Sequence, residues 1–155
     1  MKHALKTLAL VLLTVGAFGV RAQASAPTDP QIAAIVVTAN QVDIDAGKLA
    51  KTKSQSAEVK AFADLMITDH TGVNKSATEL VQRLKVKPEP NPTSESLQKG
   101  GDENLANLKK LNGAAFDKAY VGHEVAYHQT VLDALDKTLV PAASNPERAR
   151  TTVVC

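Results

Sequence analysis

The sequence predicts an all-α, up-down helical bundle of three long helices and one short one, with its fourth wall incomplete. Three observations carry that expectation. Apolar residues return at helical spacing through three long stretches, and no period-two strand pattern of useful length occurs anywhere. Helix-start and helix-stop residues fall between those stretches. Length agrees, because the roughly 131 residues beyond an amino-terminal leader suit one domain with one core. Aromatic content is 3% and Trp is absent, so the interior must be built from Ala, Val, Leu and Ile.

The leader is residues 1–24. Lys2 and Lys6 form a basic start, Leu8 to Val20 an apolar run, and Ala22-Gln23-Ala24 a small-x-small cleavage pattern. This predicts a signal peptide cut between Ala24 and Ser25, and a periplasmic or secreted product. The apolar run falls short of the roughly 20 residues a transmembrane helix needs, so no span is expected after cleavage. No Cys lies near the cut to accept a lipid. Removing Lys2, Lys6 and Arg21 from the 18 bases leaves 15 against 16 acids, a net charge of −1. With no basic stripe and few aromatics, nucleic acid is not an expected partner. The only cysteine, Cys155, excludes an intramolecular disulfide, so an exported domain must rely on its packed core.

Residues 25–144 form the expected bundle domain. Asp29 as cap and Pro30 at the first helical position open helix one, which runs over about 30–53 with Ile32, Ile35, Val36, Ala39, Val42, Ala46 and Ala50 on one side. Ser54-Gln55-Ser56 interrupts it and recaps. Helix two is expected over 57–86, with Phe62, Ala63, Met66, Val73, Ala77, Leu80 and Val81 inward, until Pro88, Pro90 and Pro92 stiffen a connector. Thr93 or Ser94 caps a short helix that Gly100-Gly101 weakens and Asp102 recaps, ending at Asn112-Gly113. Helix four is expected over 114–139, with Phe116, Tyr120, Val121, Tyr127, Val131, Leu132, Leu135 and Leu139 inward and Pro141 closing it. Asn145-Pro146-Glu147 has the grammar of another helix start, so residues 145–155 read as the truncated beginning of a final helix. An apolar groove left there would favour a homodimer or an envelope protein partner.

Polar residues sit on these apolar faces. His70 lies in register with Met66 and Val73, with Asn74 one turn on and Asp69 beside it. Glu124 and His128 are i,i+4 partners, and His123 and Tyr127 pair on the adjacent row. Asp43 lines up with Val36, Ala39, Ala46 and Ala50, whereas Asp45 points further round. Packing of helices one, two and four would bring Asp43, His70, Glu124 and His128 together inside the bundle. Buried without partners, such groups cost on the order of 1–3 kcal/mol each, so mutual hydrogen bonding or a divalent transition metal must compensate them. Zinc, iron and manganese all accept imidazole plus carboxylate. The di-iron carboxylate template is not met: Ile67 stands where the first Glu-x-x-His needs its Glu, and Glu124 and His128 are one residue too far apart. His128 has no Ser or Cys nucleophile in a recognisable context, so an enzyme is not the expectation.

Three stretches carry a family resemblance. They are Ala39 to Ala50; Val59 to Ala63 continuing through Met66 to Asp69-His70-Thr71 and Asn74; and Leu108-x-x-Leu111-x-Gly113-x-x-Phe116-Asp117-x-x-Tyr120 followed by His123-Glu124-Val125-x-Tyr127-His128. In this order they resemble the bacterial exported family called domain of unknown function 4142, over about residues 30–140. The resemblance implies a ferritin-like bundle in the periplasm, without an established activity. It also implies a further helix after Asn145, which Arg148 to Cys155 does not resemble. By the same resemblance His70 and His128 point inward, surrounded by Asp43, Asp69, Glu124 and Tyr120.

Overall fold

A computed structural model describes residues 25–144. The leader, its cleavage site's upstream side and the expected final helix start lie outside those residues. Four rods follow one another: α1 (Asp29–Lys53), α2 (Ala57–Arg83), α3 (Pro92–Lys110) and α4 (Gly113–Ala134). A π-helical turn, Leu135–Leu139, and the single turn α5, Val140–Ala142, extend α4.

Helix α1 begins one residue earlier than its proline suggests. Thr28 is the cap, Gln31 Oε1 accepts from the Thr28 N–H at 3.0 Å, and Asp29 lies inside the first turn. There the Asp29 carboxylate accepts from the backbone N–H of Ser144 at 3.1 Å and from its hydroxyl, tying the end of α5 to the start of α1. Ser56 caps α2 through Val59 N–H, as its position between the two apolar stretches predicts. Helix α2 stops at Arg83, before the expected 86. Lys85 adopts φ 53°, and Val86 N–H bonds back to Val81 C=O, so a left-handed C-cap ends the helix ahead of the prolines.

The third helix corrects the sequence-based expectation most. Gly100-Gly101 does not break it, and neither Thr93, Ser94 nor Asp102 caps it. Asn91 does: its Oδ1 accepts from Thr93 N–H at 3.1 Å and Ser94 N–H at 3.2 Å, while Ser94 Oγ accepts from Asn91 N–H at 3.0 Å. The helix is then continuous for 19 residues. Gly101 is buried because α3 lies hard against α1: a Cβ there would sit 2.7 Å from Val42 Cγ2. Close approach, not helix breaking, is what this glycine provides.

The rods alternate in direction. Lys51 pairs with Asp64 while Val37 meets Asn74, so α2 runs against α1. Asn91 meets Gln31 and Lys53 meets Lys109, so α3 runs with α1, and Tyr127 bonds to Ala39 O while Lys53 lies over Phe116, so α4 runs against it. The proline connector crosses only the end of the bundle, where Glu89 N–H donates to Pro30 O at 3.0 Å. Pro141 does not close α4, which continues to Ala142 through the widened turn. Successive four-residue steps along an α-helix drift by about 40°. Eleven residues after Glu124 the helix returns to within about 20° of the same face, which keeps Leu135 inward, and Leu139 at the end of the π turn is buried with it. Val121 and Leu132, expected inward, are exposed instead.

Two apolar clusters result. Ala46, Ala50, Ala63, Leu108, Phe116 and Tyr120 fill one end, and Ile32, Ile35, Val36, Leu135 and Leu139 the other. An apolar groove of about 610 Å³ remains between α3 and α4, with Ile35, Val36, Leu97, Val131 and Leu135 in its walls. No helix among the described residues is long and apolar enough to cross a membrane.

Candidate metal centre

Between the two apolar clusters lies a layer of buried polar side chains. Asn40, Asp43, His70 and Glu124 are all buried, and His128 is 34% exposed. Asn40 and Asp43 are three residues apart on α1, His70 comes from α2, and Glu124 and His128 stand one turn apart on α4.

Hydrogen bonds fix the ring orientations. Asn40 Nδ2 donates to Val36 O at 2.8 Å, which turns Oδ1 toward His70 Nδ1 at 2.6 Å. His70 therefore carries its proton on Nδ1, and its Nε2 is a bare lone pair. The same logic holds on α4, where His128 Nδ1 lies 2.9 Å from the Glu124 carbonyl and donates to it. Two bare nitrogens are left facing each other, His70 Nε2 and His128 Nε2, at 3.3 Å. The Asp43 Oδ2 atom lies 3.5 Å from His70 Nε2, and one donor atom from each of Asp43, His70 and His128 lies within 4.8 Å of the others. A cavity of about 50 Å³ adjoins them, walled also by Ala39, Asn40, Val131 and Leu132.

Three lone-pair atoms without an intervening hydrogen demand a positive charge, either a proton or a metal cation. Two metal–nitrogen bonds of about 2.05 Å at a tetrahedral angle put the nitrogens about 3.3 Å apart. The observed separation is 3.3 Å. Two imidazoles and one carboxylate are a ligand set used for zinc and for non-haem iron, and the cavity leaves room for a further ligand.

The rest of the layer holds protons. Burial, and then the neighbouring Asp43 carboxylate, push Glu124 up to about 9, so it is a neutral acid at pH 7. Burial raises Asp43 to about 6, with the opposing influence of His128 second. Burial lowers His70, and the adjacent His128 adds to that. Tyr120 is held well above its usual range, first by burial and then by Glu124 and Asp43. One oxygen of Asp43, both of Glu124 and the Tyr120 hydroxyl have no hydrogen-bond partner among the described residues.

The placement differs in part from the sequence-based site. Asp43, His70 and His128 converge. Glu124 is buried beside them, its carboxyl 3.9 Å from His128 Nδ1 and interacting with the Asp43 carboxyl rather than joining the converging donor atoms. Asp69 is exposed and outside the layer, because it lies about 100° round the helix from His70. Asn74 reaches across to Val37 O at 3.3 Å. Tyr127 donates to Ala39 O at 3.2 Å, and His123 stacks on Tyr127 with centroids 5.7 Å apart; burial lowers its pKa. Asn40 was not among the expected site residues. Its signal was its position, three before Asp43 and four after Val36 on the inward row of α1.

A family model described as domain of unknown function (DUF4142) matches residues 17–151. Searches of curated proteins and of solved structures returned no match.

Proposed function

The chain belongs to the DUF4142 family, a domain of unknown function, and we propose that this member is an exported helical bundle that holds one divalent transition metal ion. His70 Nε2, His128 Nε2 and one oxygen of Asp43 are its protein ligands. The observation that carries the proposal is the 3.3 Å approach of two bare imidazole nitrogens beside a buried carboxylate. Asn40 orients His70, as outer hydrogen-bond partners of metal-bound histidines do. The basic start, apolar run and Ala-x-Ala pattern of residues 1–24 support export to the periplasm.

The test is metal analysis of untagged protein after reconstitution with zinc, and separately with ferrous iron under anaerobic conditions. One equivalent per chain is expected, with loss of the metal in His70→Ala and His128→Ala. Saturation at 100 times Kd stabilises a fold by about 2.7 kcal/mol, so the holoprotein melts several degrees higher than protein in chelator. A stoichiometry near zero, with melting indifferent to chelator, would overturn the proposal. In that event an interaction role, with an envelope protein seated in the groove between α3 and α4, becomes the better account. The specific observation favouring it is the size and apolar lining of that groove.

A further inference from the structure

The outer side of α4 carries a second apolar pattern that the bundle does not use. Val121 is 36% exposed, Val125 67% and Leu132 46%, and His128 shows its outer edge between the last two. Their spacing is four, three, four. That is the a/d repeat of a coiled-coil seam, narrower than the wide stripe a helix presents to a globular core. Among the described residues nothing covers it. The inward row of α4 is a different one, Phe116, Tyr120 and Glu124, so the exposed seam is no leftover edge of the core.

We infer that this seam pairs with the same seam of a second copy, antiparallel, to form a two-fold symmetric dimer. Self-pairing in that direction sets Val121 of one copy opposite Leu132 of the other, and Val125 opposite His128, so each residue type meets its complement across the axis. Charge selects the direction. Lys118 extends the seam at one end and Asp136 flanks it at the other, both exposed. Antiparallel pairing brings Lys118 beside Asp136 of the other copy, whereas parallel pairing stacks like charges. The small, exposed Gly122 and Ala126 border the seam and allow the helices to approach closely. The seam is only about 16 Å long, so the buried area is below that of a standard interface and the association is weak. Pairing also covers the outer edge of His128, but it does not require a metal.

Sedimentation velocity of the untagged full chain in chelator, across a wide concentration range, tests this. A reversible monomer–dimer equilibrium is expected. Val125→Lys and Leu132→Lys each abolish the dimer, and Val125→Lys leaves thermal melting unchanged, since Val125 is exposed and lies outside the metal cavity. Lys118→Glu weakens the dimer several-fold, and Lys118→Glu combined with Asp136→Lys restores it. A chain that is monomeric at every concentration overturns the inference. A dimer that survives both lysine substitutions overturns it equally, because the contact then lies elsewhere, as in the groove between α3 and α4.

Discussion

At residue scale, the decisive group is Asn40. Its amide spans from Val36 O to His70 Nδ1 and so dictates which imidazole nitrogen is bare. Asn40→Ala removes the acceptor, leaving a buried N–H unpaired at a cost of about 1–3 kcal/mol. It also frees the His70 ring to rotate, and loss of such an orienting partner lowers metal affinity about 10–100-fold. Competition titration against a chromophoric chelator measures the second effect and thermal melting the first. Asn40→Asp, which keeps an acceptor oxygen at the same reach, recovers much of the affinity.

At the scale of elements, the two adjacent glycines of α3 make opposite demands. Gly100 has open space where a Cβ would lie, so Gly100→Ala adds helix propensity and stabilises by about 0.5–1 kcal/mol. Gly101→Ala places the same methyl against Val42 at 2.7 Å and pushes α3 off α1. Overpacking of this kind destabilises by about 1–3 kcal/mol. Chemical denaturation of the two variants side by side checks the contrast, and equal effects would contradict the packing described. At the end of α2, Lys85 holds the left-handed conformation without being glycine. Lys85→Gly relieves a strain of about 1 kcal/mol, and raises the denaturation midpoint accordingly.

For the molecule as a whole, buried acids in the polar layer set a pH dependence. Glu124 rises from 4.5 to about 9 and Asp43 from 3.8 to about 6 on folding. The folded chain thus keeps protons that the unfolded chain releases, and unfolding liberates them. This contribution is fully present below about pH 4 and is lost as pH climbs through 6 and on to 9. His70, depressed by burial, acts oppositely: its contribution is present above the ordinary histidine range and lost in acid. Metal-free protein is therefore expected to melt progressively lower from pH 6 to pH 9. Glu124→Gln, neutral at every pH, flattens that slope in calorimetric scans, whereas an unchanged slope would place the titration elsewhere.

Much of this architecture is legible in the residues themselves. The apolar spacing of α1 and α2, the Ser56 cap and the inward rows containing Asp43 and His70 all follow from a 3.6-residue period, which is a local property of the chain. What local pattern leaves open is which neighbour a face meets and at what distance. Gly100-Gly101 reads as a weak point because glycine costs helix stability, yet Gly101 is a contact surface once α1 lies against it. Val121 and Leu132 read as core because they are apolar at helical spacing, and only the packing of α4 shows that another row is inward. Asn40 looks like one more polar residue on α1 until His70, thirty residues away, is brought to 2.6 Å. Helical structure, and the inward faces of α1 and α2, were decided by the order of side chains along the chain. Proton positions, donor convergence and the choice between break and contact were decided by packing between helices, because each depends on separations that no single helix contains.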